Sequence, residues 1–134
     1  MFFFIWQDNF LTNISEIDDQ HRKLVALINN LYAALLKFED SDQKRAFLIK
    51  TLEELIDYGC YHFDAEEQLM LKHEYPDYES HKAAHERFKL QVAQFLKEQR
   101  ETTQVLPFPI VVFLKNWFTS HVLSTDLQYV PFIK

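Results

Sequence analysis

The sequence predicts an all-α fold, an up-down-up-down antiparallel four-helix bundle with an N-terminal arm. Three observations carry that expectation. The 134 residues contain a single Gly and four Pro, too few turn-formers for a sandwich or barrel of many strands. Those prolines, at positions 76, 107, 109 and 131, punctuate the chain. Between them apolar residues recur at alternating steps of three and four, the spacing of one buried helical face. The length fits one domain, taken as residues 1–134, and no repeat, low-complexity tract or linker interrupts it.

The opening stretch, MFFFIW, is apolar but far too short to span a bilayer, and it lacks the basic start of a signal peptide. It is expected to pack onto the domain as an arm. A first helix is expected over Asp18 to Phe38, with an inward stripe of Ile17, His21, Leu24, Ile28, Leu31, Leu35 and Phe38. A second should run from Ser41, a candidate N-cap, to Lys72, turning Leu48, Leu52, Leu55, Gly59, His62, Glu66 and Leu69 inward. The third, Glu79 to Arg100, would bury Tyr78, His81, His85, Phe88, Val92 and Phe95. The fourth, Pro109 to Leu123, would bury Ile110, Leu114, Trp117 and His121.

Charge and cysteine content narrow the setting. A net charge of −6 with a pI near 5.4 argues against nucleic acid as a partner, and nothing argues for a membrane. The lone Cys60 excludes an internal disulfide and fits a reducing, cytoplasmic compartment.

Each inward stripe turns from apolar to imidazole in one region. Short connections make successive helices antiparallel, so the start of the first, the end of the second, the start of the third and the end of the fourth share one end of the bundle. His21, His62 with Glu66, His81 with His85, and His121 occupy those places, five of the chain's six histidines. A buried polar group without a partner costs several kcal/mol, and a buried charge more. A single buried His is ordinarily a hydrogen-bonded core residue; five in register call for a common partner. Metal is the economical one, because imidazole and carboxylate are metal ligands and i,i+4 pairs such as His81 and His85 can grip one ion.

Asp126 follows His121 by five residues, which on an ideal helix is a rotation of about 140°. Both point inward only if the fourth helix ends or bends near Leu123 to Thr125, so spacing alone leaves Asp126 open. Nitrogen and oxygen donors without thiolate argue against iron–sulfur clusters and structural zinc. Seven ligands exceed one ion's usual coordination. Two six-coordinate ions bridged by both carboxylates and an oxo or hydroxo group would keep one vacant position, suited to a small exogenous molecule.

At this point the residues resemble the hemerythrin family. The pattern is His21, then His62-x3-Glu66, His81-x3-His85 and His121-x4-Asp126, with Trp6 and Phe10 in the arm, the run DDQH leading into the first helix, and HFDAEEQLM followed by YP. The resemblance covers nearly the whole chain and is closest to bacterial single-domain members, whose relatives are known four-helix bundles. It implies reversible dioxygen binding at a non-haem di-iron centre, for oxygen carriage, storage or delivery. By similarity His81, His85 and His121 hold one iron, His21 and His62 hold the other, and Glu66 and Asp126 bridge them with a solvent-derived oxygen. Dioxygen is then expected at the two-histidine iron, and no catalytic residue is expected.

Leu24, Phe63, Trp117, Phe118 and Val122 lie within a turn of these ligands and are expected to wall a dry oxygen pocket, although ordinary core packing would place most of them there too. Gly59 is expected to serve ordinary close packing, with room for a neighbouring ring or a path for ligand as the alternative. His73 is expected in a solvated loop, Cys60 off the stripe, and Asp64 and Glu67 facing outward. FEDSD and KEQRE read as exposed connections. Two rival readings remain. One is a sensor of oxygen, nitric oxide or redox state acting through a protein partner. The other is a di-iron oxidase, disfavoured because such sites are carboxylate-rich.

Overall fold

The computed structural model describes residues 3–101 and 107–133; the first two residues of MFFFIW, residues 102–106 and Lys134 lie outside it. Four long helices form the bundle: α1 (Ser15–Lys37), α2 (Ser41–Lys72), α3 (Tyr78–Glu101) and α4 (Pro107–His121). A π-helical turn, Val122–Asp126, then leads into a short α5 (Leu127–Ile133). Cross-helix contacts give the topology directly. Glu67 meets His85 while Glu53 meets Arg100, so α2 and α3 are antiparallel. Phe88 stacks on Trp117 and Phe95 meets Phe113, which sets α3 against α4 in the same sense. His21 lies by Phe118 and Tyr32 by Phe108, closing α1 onto α4.

The apolar stripes fill the centre. Leu31, Leu35, Leu48, Leu52, Leu55 and Val92 are almost wholly buried in one cluster that runs through all four helices. Phe38 and Leu69, at the ends of their stripes, are only half-buried, and Met70 takes the inward place beside Leu69. Met70, Tyr75 and Tyr129 form a second, smaller apolar cluster at the other end. The histidine-bearing layer lies between the two.

The arm packs as expected. Phe4 and Phe10 are buried, and both rings meet Phe118 edge-on at 5.3 and 5.6 Å. Asn29 clasps the Phe4 residue from both sides: the Phe4 N–H donates to its Oδ1 and its Nδ2 donates to the Phe4 carbonyl, each at 2.7 Å. Asp18, buried in α1, anchors the chain before that helix by accepting from the Thr12 N–H, the Thr12 hydroxyl and the Asn13 N–H. Three bonds to one carboxylate satisfy a charge that would otherwise be costly to bury.

Three details differ from the sequence expectation. The N-cap of α2 is Asp40, whose carboxylate accepts the Gln43 N–H at 2.9 Å; Ser41 is already helical. KEQRE forms the last turns of α3, and within it Gln99 is buried. The fourth α-helix ends at His121, two residues before the expected Leu123, but the helical path continues through the turn: the Leu127 N–H reaches the Val122 carbonyl, an i→i+5 bond that widens it. The Ser124 hydroxyl donates back to the Ser120 carbonyl, competing locally with the ordinary ladder. Among the described residues no helix is long and apolar enough to cross a membrane.

A widened turn is one residue more than an α-helical turn needs. Deleting the exposed Ser124 is therefore expected to restore i→i+4 bonding, leave Asp126 on the face of His121, and change unfolding free energy by no more than about 1 kcal/mol. Urea unfolding followed by circular dichroism measures this; a loss above about 3 kcal/mol would show that the wide turn is itself required.

Candidate metal centre

His21 comes from α1, His62 and Glu66 from α2, His81 and His85 from α3, His121 from the end of α4 and Asp126 from the π turn. The structure brings all seven into one layer, each 6 % exposed or less. The π turn is what admits Asp126. An i→i+5 turn carries the fifth residue back over the first, so His121 Nε2 and Asp126 Oδ1 stand 2.9 Å apart despite a spacing that an α-helix would splay.

The imidazoles converge through Nε2. His81 Nε2 lies 2.9 Å from Asp126 Oδ1, and His21 Nε2 lies 3.2 Å from Asp126 Oδ2. Glu66 Oε1 lies 3.0 Å from His62 Nε2 and 3.5 Å from His85 Nε2. Two overlapping donor sets result, within 4.8 Å among their ligand atoms: His81, His85 and His121 with Glu66 and Asp126, and His21 and His62 with the same two carboxylates.

Three residues not foreseen from sequence orient these groups. Gln20 is buried on α1 with its Oε1 2.6 Å from His62 Nδ1. Glu67, expected to face outward, is instead only 7 % exposed, with its Oε2 2.8 Å from His85 Nδ1. Both acceptors place the ring proton on Nδ1 and leave the Nε2 lone pair facing inward. Tyr129 is fully buried on α5, and its hydroxyl donates to Glu66 Oε2 at 2.7 Å. Burial, with the charges of Glu66 and Asp126, pushes this phenol far above its usual range, so it remains a donor. A clue existed for Gln20, which directly precedes His21; none existed for Tyr129 once the helix was expected to end at Leu123.

The lone pairs test whether a metal fits. His85 Nε2 faces His121 Nε2 at 3.1 Å and Glu66 Oε1 at 3.5 Å, and with its proton on Nδ1 it has nothing to donate to either. Both ring nitrogens of His21 and His81, Glu66 Oε1 and both Asp126 oxygens are buried without a hydrogen-bond partner. The short nitrogen–oxygen distances are thus approaches without hydrogen-bond alignment. Electron-rich atoms pointed at one another in an apolar interior call for positive charge between them, from protons or from metal ions. The donor set fits metal ions.

Around this layer the rings are packed flat. Phe63 stacks on His85 at 3.9 Å and 12°, and Trp117 on His121 at 4.3 Å and 12°. Leu24, Phe63, Trp117 and Phe118 also line an apolar cavity of about 20 Å³ that Gly59 borders. A Cβ on Gly59 would meet only the Phe63 ring, at 4.0 Å, so the glycine opens space and is not there to allow a tight contact. Val122 is buried in the π turn and does not line that cavity. His73 is half-buried at the C-cap of α2, Cys60 is half-buried and free, and Asp64 is exposed; none joins the cluster.

Fold and cluster together define a helical bundle built around a buried imidazole–carboxylate site for cations. The sequence matches the family model of the hemerythrin HHE cation binding domain over residues 12–133, and the chain belongs to the hemerythrin family. It is 29% identical to a bacteriohemerythrin of Stenotrophomonas maltophilia over 130 residues, covering 97% of this chain and 81% of that one. A hemerythrin-like protein of Naegleria gruberi is 33% identical over 126 residues, covering 94% and 90%. A crystal structure of wild-type hemerythrin superimposes with a TM-score of 0.85 at 26% identity, covering 98% of each chain.

Without metal the layer depends on opposite charges. Burial and the charge of Asp126 oppose ionisation of Glu66, but His62 and His85 outweigh them and hold its carboxyl below the usual range. Burial likewise opposes ionisation of Asp126, and His121, His21 and His81 outweigh it. For His21 and His121 burial lowers and Asp126 raises, with a net rise. The depressed carboxyls stabilise the fold above their unfolded values and cease to do so as pH falls through the folded ones. The raised imidazoles stabilise it below 6.5 and cease to do so as pH rises through their folded values. Metal-free protein should therefore be most stable between about pH 4.5 and 6.5 and weaken above 6.5 as the pH rises through the raised imidazole values. Metal reverses the trend, since coordinating imidazole has to be neutral. Thermal unfolding of both forms across this range measures the difference, and parallel profiles would contradict it.

Proposed function

We propose that this protein binds dioxygen reversibly at a non-haem di-iron centre and serves oxygen carriage, storage or delivery. The observation that carries the proposal is the pair of unequal donor sets, three imidazoles against two, sharing both carboxylates. His81, His85 and His121 would hold one iron and His21 and His62 the other, with Glu66 and Asp126 available to both. An iron pair held there would supply the electrons that dioxygen binding needs, and the two-imidazole set, with one donor fewer, is the side on which dioxygen would bind.

The chain's own residues do the rest. Gln20 and Glu67 fix the tautomers of His62 and His85, so that two nitrogen donors are aimed before metal arrives. Tyr129 holds one oxygen of Glu66, leaving the other free to face the cluster. Leu24, Phe63, Trp117 and Phe118 keep water from the layer. Their cavity is about the size of one water but offers it no polar partner, which suits a small apolar molecule better. Such a dry wall slows loss of a bound polar species and with it autoxidation.

The ratio of five imidazoles to two carboxylates supports a binding role over an oxidase, whose sites reverse that balance. In this reading residues 1–134 act as one domain, with dioxygen as the ligand and no enzymatic turnover. An optical titration of the anaerobic, reduced, iron-loaded protein with dioxygen tests it. A charge-transfer band is expected to rise with dioxygen and vanish on flushing with inert gas. Immediate conversion to a ferric spectrum that flushing does not undo would contradict reversible binding and favour a redox sensor or an oxidase.

A further inference from the structure

The two donor sets differ in what stands behind their imidazoles. Gln20, behind His62, offers a neutral amide oxygen at 2.6 Å. Glu67, behind His85, offers a carboxylate at 2.8 Å, in a position almost closed to solvent. We propose that Glu67 is a positioning residue that ranks the two metal positions, making the one that contains His85 the tighter. This rests on the two-iron reading above.

Geometry and charge both support the ranking. Consecutive residues on a helix diverge by about 100°, so Glu66 can face the layer while Glu67 passes beside it to the far side of His85 on α3. His85 is thereby held at Nδ1 by Glu67 Oε2, 2.8 Å away, which aims its Nε2 into the layer. Phe63, stacked flat on the ring, removes the remaining freedom to rotate. A ring fixed this way meets the ion without reorganising.

The carboxylate also does what the amide cannot. An anionic acceptor at Nδ1 draws the ring proton and makes Nε2 a stronger donor, and its charge partly balances the cation beyond. Gln20 supplies orientation to His62 without that charge. The set containing His62 therefore has one imidazole fewer and a weaker outer partner. Nature of the partner and number of nitrogens act in the same direction.

The test is a titration of anaerobic, metal-free protein with Co²⁺, read by calorimetry and by the visible absorption of the bound ion. Two steps of unequal affinity are expected. Glu67→Gln keeps an oxygen for His85 Nδ1 and removes only the charge; it should weaken the tighter step by about 10- to 100-fold and leave the looser one in place. Gln20→Glu supplies the missing charge behind His62 and should tighten the looser step. Thermal unfolding of the metal-free variants shows whether the bundle is intact, and Gln20→Glu tests the ranking independently if Glu67→Gln folds poorly. Saturation of the unaltered protein at one ion per chain would overturn the two-iron reading and the ranking with it. Two steps that Glu67→Gln leaves unchanged or lowers equally, or a looser step that Gln20→Glu fails to tighten, would overturn the ranking alone.

Discussion

Seven electron-rich side chains face one another inside an apolar bundle, and the rest of the structure depends on how that conflict is resolved. Five imidazoles and two carboxylates, each almost fully buried, approach to about 3 Å with many of their polar atoms lacking any hydrogen-bond partner. Protonated imidazoles can relieve part of the repulsion in the metal-free protein. Cations relieve it more completely, because one ion satisfies several donors at once. Metal binding and bundle stability are thus one free energy viewed from two sides.

The layer works because it is enclosed. One large apolar cluster lies on one side and the small Met70, Tyr75 and Tyr129 cluster on the other, so water has no easy route to the donors. Tyr129 belongs to both worlds, with its ring in the small cluster and its hydroxyl on Glu66. Arm and ligand are linked in a similar way: Phe4 and Phe10 pack on Phe118, whose ring meets that of His21 at 5.5 Å. Low dielectric surroundings strengthen each of these electrostatic contacts and raise the cost of removing any one partner.

Helical spacing made much of this legible from sequence. The stripes through His21, His62, His81, His85 and His121 needed only steps of three and four, and the bundle topology then placed them at one end. Asp126 was different. Its five-residue offset from His121 is readable only as a conflict, since the i→i+5 bond that resolves it is a backbone choice that hydrophobic spacing does not encode. Glu67 was misread because an acid beside Glu66 looks like a solvent-facing residue, while its partner sits on another helix. Gln20 and Tyr129 escaped for the same reason: their roles lie in tertiary neighbours. Asp40 displaced Ser41 as the cap because either side chain can accept the early N–H groups of α2.

The central claim, that metal ions lie between these side chains, is tested most directly by anomalous diffraction at the iron edge from crystals of the iron-loaded protein. The account predicts two peaks inside the layer, with Glu66 and Asp126 reaching both, His81, His85 and His121 around one, and His21 and His62 around the other. A single peak, or iron bound away from these seven side chains, would contradict it.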